Sequence, residues 1–183
     1  MLLVFVYALT YVILLVCFVA AFFIAGSFIA LLVVGVPFAS TPERNIEKAL
    51  NLLELKPGDT LYDLGCGDGR ALLAAERRGA KAIGYEISPW PYLKAQYNLF
   101  KAKSKAKIFL KNFYQVNISD ADAVFCFLLN RVMDRVEKKL SSELKPGTKV
   151  VSYGFPFTTR KPSSTIDTNP ENPNASKIYL YIM

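Results

Sequence analysis

Three glycines stand at alternate positions in Tyr62-Asp63-Leu64-Gly65-Cys66-Gly67-Asp68-Gly69-Arg70, with one acid before them and another, Glu86, 23 residues beyond Asp63. Glycines so spaced let the backbone turn sharply and bring its amides against a ligand where any side chain would intrude. A helix starting behind the loop presents its electropositive end to electronegative groups. The spacing is G-x-G-x-G, not the G-x-G-x-x-G of dinucleotide binders, and Asp63 puts a carboxylate where a pyrophosphate would have to sit. A carboxylate there suits a cation. If Asp63 and Glu86 close neighbouring parallel strands, Glu86 lies beside the loop and can accept both hydroxyls of a ribose. A lone glycine turn would be an ordinary tight loop, but two acids at successive strand ends point to a nucleoside that carries positive charge.

S-adenosylmethionine, with its ammonium and sulfonium, has that charge. The remaining residue types exclude other chemistries. The chain has no histidine, so no Ser-His-Asp or Cys-His triad and no His-ligated zinc site can form. Cys17, Cys66 and Cys126 lack metal-ligand spacing, no metal is expected, and three such thiols fit a reducing compartment. The place of Cys66 within the glycine loop accounts for it without a nucleophilic role. Lys101, Lys103, Lys105, Lys107 and Lys111 form the strongest basic cluster of a chain whose formal net charge is +7. A solvated face is the commoner meaning of such a run, and anionic lipid is the next partner to consider.

The elements that must position these residues follow from periodicity and punctuation. Thr41-Pro42 reads as an N-cap and first helical residue of a helix through Leu53, with Ile46, Ala49, Leu50 and Leu53 on one face. After the Lys56-Pro57-Gly58-Asp59 turn, strands are predicted over Thr60–Leu64, Lys81–Ile87, Ala106–Leu110, Ala123–Leu129 and Lys149–Phe155. Helices fall over Arg70–Arg78, closed by Gly79, over Ser88–Ala102, and over Val132–Leu144. A Pro/Asn-rich loop, Asn169–Asn174, precedes a last alternating strand, Lys177–Ile182, expected to pair antiparallel at an edge. Strands alternating with helices imply an α/β fold with a doubly wound, mostly parallel sheet, which binds ligands outside the carboxyl ends of its strands.

The charge distribution sets the domain organisation. All 22 Lys and Arg and all 15 Asp and Glu of the 183 residues follow Pro42. Residues 2–36 are an apolar run longer than the roughly 20 residues a bilayer-spanning helix needs. A cleaved signal would have a basic start and an apolar stretch of only about 7–15 residues. We therefore expect a transmembrane anchor over 1–36 and a soluble domain over 37–183, one span with Gly26-Ser27 as the place for a bend, in preference to a helical hairpin. Arg44, Lys48 and Lys56 follow the run and nothing basic precedes it, so the positive-inside bias puts the soluble part in the cytoplasm.

Asp63-Leu64-Gly65-Cys66-Gly67-Asp68-Gly69 with Glu86 resembles motif I and the following acidic position of class I S-adenosylmethionine-dependent methyltransferases. The stretch from Gly58 through Gly84-Tyr85-Glu86-Ile87-Ser88-Pro89-Trp90 is similar to the ATP synthase c-subunit lysine N-methyltransferase family and its prokaryotic relatives. The blocks Pro37–Pro42, Phe127–Met133, Glu143–Phe157 and Tyr179-Leu180-Tyr181 carry the same resemblance across most of residues 37–183. It implies a Rossmann-like fold and methyl transfer to lysine side chains of proteins. Asp63, Gly65, Cys66, Gly67 and Gly69 match the cofactor loop, Glu86 the ribose acid, and Asn112-Phe113 the adenine position, where an acid is commoner. Asn130 stands where the family pattern has proline.

Methyl transfer is an in-line displacement, so alignment supplies much of the rate and no dedicated acid or base is compulsory. An attacking lysine must lose a proton from an amine whose ordinary pKa is about 10.4. An apolar entrance lowers that value by desolvation. Phe127, Tyr153, Phe155 and Phe157 are candidates for it, and the same aromatics would serve equally as core. The alternatives are an RNA methyltransferase, which the lysines suggest but the absence of an N/D-P-P-Y/F sequence after the fourth strand opposes, and a non-catalytic membrane-anchored scaffold.

Overall fold

Runs of β-branched and aromatic residues, each closed by a Gly or Pro turn, alternate with amphipathic stretches, and the chain folds along that alternation. In the computed structural model, which describes residues 1–34, 41–172 and 175–183, the helices are α1 (Leu2–Val34), α2 (Glu43–Leu53), α3 (Arg70–Glu76), α4 (Pro89–Lys101) and α5 (Met133–Glu143). The strands are β1 (Thr60–Leu64), β2 (Lys81–Glu86), β3 (Lys107–Leu110), β4 (Ala123–Cys126), β5 (Lys149–Tyr153), β6 (Ser164–Asp167) and β7 (Lys177–Ile182). They form one sheet in the order β3-β2-β1-β4-β5-β7-β6. The first five are parallel, while β7 runs antiparallel to both β5 and β6. The chain winds outward from β1 through β2 to β3 and then returns to the other side of β1 with β4, so the topological switch lies between β1 and β4. A ligand crevice is expected outside their carboxyl ends.

Each face of the sheet carries its own core. Leu61, Phe125 and Val151 pack with Ile46 and Leu50 of α2, Leu72 of α3 and Leu99 of α4. Tyr62, Leu64, Val124 and Cys126 pack on the opposite side with Val136 and Leu140 of α5. Every residue of β4 is buried, as a central parallel strand requires.

The structure differs from the expectations at several ends. Pro42, at φ −56° and ψ 140°, occupies the N-cap position of α2, so Thr41 stands one residue too early to cap it. The fourth strand stops at Cys126 instead of Leu129. Leu128 turns back toward the glycine loop, its Cδ2 3.0 Å from where a Cβ on Gly65 would stand, and Asn130–Val132 tightens into a 3-10 turn. The fifth strand stops at Tyr153 because Gly154 takes φ +88° and Ser152 Oγ donates to the Phe155 carbonyl at 2.6 Å. β7 is antiparallel as expected but is not the edge, since β6 pairs along its outer side. The expected anchor is one continuous helix through Gly26 and Ser27, with neither a break nor a hairpin. Its Leu3–Gly26 stretch, with a mean hydropathy of 2.7, is long and apolar enough to cross a membrane. The boundary expected at 36/37 and the block from Pro37 fall on residues 35–40, outside the described residues, as does the end of the Asn169–Asn174 loop.

Candidate active site

Side chains alternate along a strand, so β1 sends Leu61 to the α2/α3 face, Tyr62 and Leu64 to the α5 face, and leaves Asp63 beside Leu61's layer. Asp63 lies between Gly84 of β2 and Phe125 of β4 and is 2% exposed. No hydrogen-bond donor reaches its carboxylate among the described residues. Burial first, then the nearby Glu86 and Asp68, push its pKa well above the ordinary carboxylate range. Such a group is under tension that a cation relieves.

Past β1 the chain turns through Gly65, Gly67 and Gly69 at φ +80°, +55° and +78°. The amides of Gly65 and Cys66 both donate to the Tyr85 carbonyl, at 2.9 and 3.1 Å, which folds the loop over the end of β2. Gly69 opens α3 against α4, where an added Cβ would stand 2.9 Å from Leu99 Cδ1 and 3.2 Å from Ala95 Cβ. Burial raises the Cys66 thiol well above its ordinary pKa, so it is no thiolate nucleophile. The loop rests on a position that sequence reasoning missed. A Cβ on Gly84 would come within 2.7 Å of Cys66 Sγ and of Leu72 Cδ1. A glycine inside a strand is the signal that could have revealed it.

Glu86 closes β2 and is fastened by three backbone amides. Gly67 donates to Oε2 at 3.0 Å, and Ile87 and Ser88 donate to Oε1 at 2.9 and 2.8 Å. Burial raises its pKa while these amides pull it back. Burial also opposes ionisation of Asp68, but Arg70 and Lys94 prevail and hold its pKa below the ordinary value. Arg70 forks onto both Asp68 oxygens, at 2.9 and 2.7 Å, and its Nη1 donates to the Thr41 carbonyl at 3.1 Å. The segment entering the domain is thereby tied to the glycine loop.

Asp63, Gly65, Cys66 and Gly67 share one cavity with Thr41 and Phe127. Tyr153 packs edge-on to Phe127 with ring centroids 4.7 Å apart. Asn45 of α2 donates to Tyr153 Oη at 3.0 Å, and its own Oδ1 is buried without a partner. Asn45 is the polar residue on an otherwise apolar helix face, a second signal that sequence reasoning passed over. Phe155 and Phe157 pack with the core on the opposite side of the sheet, apart from Phe127 and Tyr153. Asn112 does not line the cavity. Its Oδ1 accepts from Tyr114 N at 3.0 Å and caps the Phe113–Gln115 3-10 turn, and Phe113 is buried in the second core.

The donor set fits a ribose-bearing cation: a donorless carboxylate, a bare loop and a second acid. A pyrophosphate would meet Asp63 where it needs donors.

Comparison with known proteins agrees with this chemistry. A profile of the ANTKMT methyltransferase domain matches residues 63–164. A protein-lysine N-methyltransferase of Saccharolobus islandicus is 38% identical over 152 residues, covering 81% of this chain and 94% of that protein. The lysine N-methyltransferase of the mouse ATP synthase c-subunit is 33% identical over 138 residues, 74% of this chain and 56% of its own length, so this chain spans little more than half of that relative. An RNA methyltransferase from Salinibacter ruber, solved with S-adenosyl-L-homocysteine, superposes with a TM-score of 0.73 at 31% identity, covering 79% of this chain and 93% of that one.

Proposed function

Because the chain belongs to the ANTKMT methyltransferase family, we propose that it transfers methyl groups from S-adenosylmethionine to lysine side chains of proteins, and that it does so anchored in a membrane by α1. The observation that carries this reading is the Asp63 carboxylate, buried and without a donor beside the glycine loop. S-adenosylmethionine supplies an electrophilic methyl group on a sulfonium. Asp63 would balance the positive charge of the bound molecule, the bare backbone of the glycine loop, whose Gly65, Cys66 and Gly67 amides already donate to Tyr85 and Glu86, would let it approach closely, and Glu86 would accept its ribose hydroxyls. Asn112, after β3, would reach the adenine with its amide nitrogen, and the main chain of Phe113, whose ring lies in the second core, would border the base. Phe127 and Tyr153, on the cavity's side of the sheet, exclude water from the arriving ammonium, favour its neutral form and so free the lone pair that attacks, whereas Phe155 lies on the other face and takes no part in that entrance. The proton leaves to solvent before transfer.

Residues 2–36 hold the protein in the bilayer as a single pass. Arg44, Lys48 and Lys56 keep the catalytic domain over 37–183 on the cytoplasmic side. Lys101, Lys103, Lys105, Lys107 and Lys111 meet anionic lipid in preference to nucleic acid. The second reading, methylation of RNA, is favoured by the described activity of the Salinibacter ruber neighbour. One experiment separates the readings. Full-length protein in detergent is given labelled S-adenosylmethionine, membrane extract and RNA, and label is followed into each fraction. Label in protein, recovered as methyl-lysine after hydrolysis, is expected. Label in RNA alone overturns the lysine reading, and label nowhere with intact donor binding supports a non-catalytic scaffold.

A further inference from the structure

The face of α4 turned away from the domain is aromatic. Trp90, Leu93, Tyr97 and Phe100 are 62%, 41%, 64% and 83% exposed, and their spacing of three, four and three residues puts them on one side of the helix. Ala95 and Leu99 face the core from the opposite side. Large contiguous apolar surface of this kind marks an interaction site. The chain just beyond carries Lys101, Lys103, Lys105, Lys107 and Lys111, all exposed.

We propose that this face of α4 lies in the headgroup layer of an anionic bilayer and holds the methyl-donor cleft at the membrane surface. The inference rests on reading α1 as a membrane span. Where α1 meets α4, a Cβ on Gly26 would stand 3.2 Å from Pro89 Cγ. The stretch Leu3–Gly26 has 24 residues. At about 1.5 Å per residue it covers roughly 36 Å, enough for a hydrocarbon core of about 30 Å. α1 continues as an apolar helix to Val34, eight residues or about 12 Å past Gly26, so a bilayer whose surface falls anywhere between Gly26 and Val34 has Pro89–Trp90, where α4 begins, at that surface or within about 12 Å below it. Trp and Tyr prefer that depth, and lysines beside it are drawn to anionic lipid. A second copy of the chain is a poorer occupant, because protein interfaces are depleted of lysine and two such clusters repel. Glu86 lies three residues before Pro89, so the acceptor that fits this geometry is a lysine carried at or near the headgroups.

Trp90 is the only tryptophan of the chain, so its emission reports this face without labelling. The full chain is reconstituted in phosphatidylcholine/phosphatidylglycerol vesicles whose lipids are brominated high on the acyl chains. Strong bromine quenching and a blue-shifted emission are expected, reduced in the double variant Tyr97→Ser, Phe100→Ser and reduced again when phosphatidylglycerol is left out. Emission that bromine leaves unchanged while aqueous acrylamide quenches it overturns the proposal. Protection from both quenchers means a protein cover and also overturns it. Quenching that is indifferent to phosphatidylglycerol overturns the anionic preference. Alkaline carbonate extraction separates the two levels of failure. A chain that resists extraction with Trp90 unquenched loses only the α4 contact, whereas an extracted chain loses the span as well.

Discussion

Asp63 is held against its own ionisation. Burial, Glu86 and Asp68 raise its pKa above the ordinary 3.8, so between that value and the raised one the folded protein binds more protons than the unfolded chain. Stability of the donor-free protein therefore falls as pH rises through this window, and Glu86 adds a contribution of the same sign. A bound cation lowers both values, so binding releases protons and tightens with rising pH. In Asp63→Asn the donor-free protein is expected to melt higher at neutral pH and to lose the downward slope of Tm with pH. Calorimetric titration should show affinity for S-adenosylmethionine reduced about 10- to 150-fold, the worth of a charge-assisted contact of about 1.5–3 kcal/mol. A donor-free variant that melts lower would contradict the account. Tyr153→Phe is expected to remove the hydrogen-bond partner of buried Asn45 at a cost of about 1–3 kcal/mol. It would leave donor affinity unchanged, as thermal melts and titration would show. The juxtaposition of the loop glycines with Asp63 and Glu86 was legible because their spacing places them at neighbouring strand ends. Asn45 and Gly84 were not, because each matters only through a neighbour distant in sequence, Tyr153 in one case and Leu72 with Cys66 in the other.

At the scale of elements, α5 anchors the segment after β5 through one carboxylate. Glu137 receives the amides of Thr158, Thr159 and Arg160 and the Thr159 hydroxyl, at 2.6 to 3.0 Å. Burial opposes its charge, but these donors prevail and its pKa lies below the ordinary 4.5. A depressed carboxylate stabilises fully above the unfolded value, and that stabilisation disappears as pH falls through the folded value. Glu137→Gln, which turns an amide NH2 toward N–H donors, should cost about 2–3 kcal/mol at pH 7 and almost nothing in strong acid, read from denaturant melts at the two pH values. The helices and parallel strands were legible from periodicity to within a residue or two over most of the domain. β6 was not, because Ser164-Thr165-Ile166-Asp167 offers one apolar side chain and its strand character comes from pairing with β7. The early ends of β4 and β5 were hidden for a related reason. Phe127-Leu128-Leu129 reads as more strand, and only the close fit of Leu128 over Gly65 bends it away.

For the molecule as a whole, the division between greasy and charged sequence anticipated the long apolar helix that precedes the sheet. Among the described residues, every side chain of the two cores follows Thr41. Residues 41–183 alone are therefore expected to fold and bind S-adenosylmethionine as the full chain does, while no longer pelleting with membranes. Titration and sedimentation check the two halves of that statement, and a truncated chain that cannot bind the donor would make α1 part of the fold. The doubly wound order could be anticipated because alternating strands and helices admit few other arrangements. The order of the last two strands could not, since nothing in the sequence says which of them takes the seat beside β5.

The reversed direction of β7 has a practical consequence. Its last residues pair with the start of β5, and Met183 exchanges backbone hydrogen bonds with Gly147 and Thr148, on the rim opposite the glycine loop. A fluorescent protein or affinity handle fused after Met183 through a short linker would hang from the far side of the sheet. It would leave the approach to the cleft clear, which makes this rim the place from which to image or capture the protein at work.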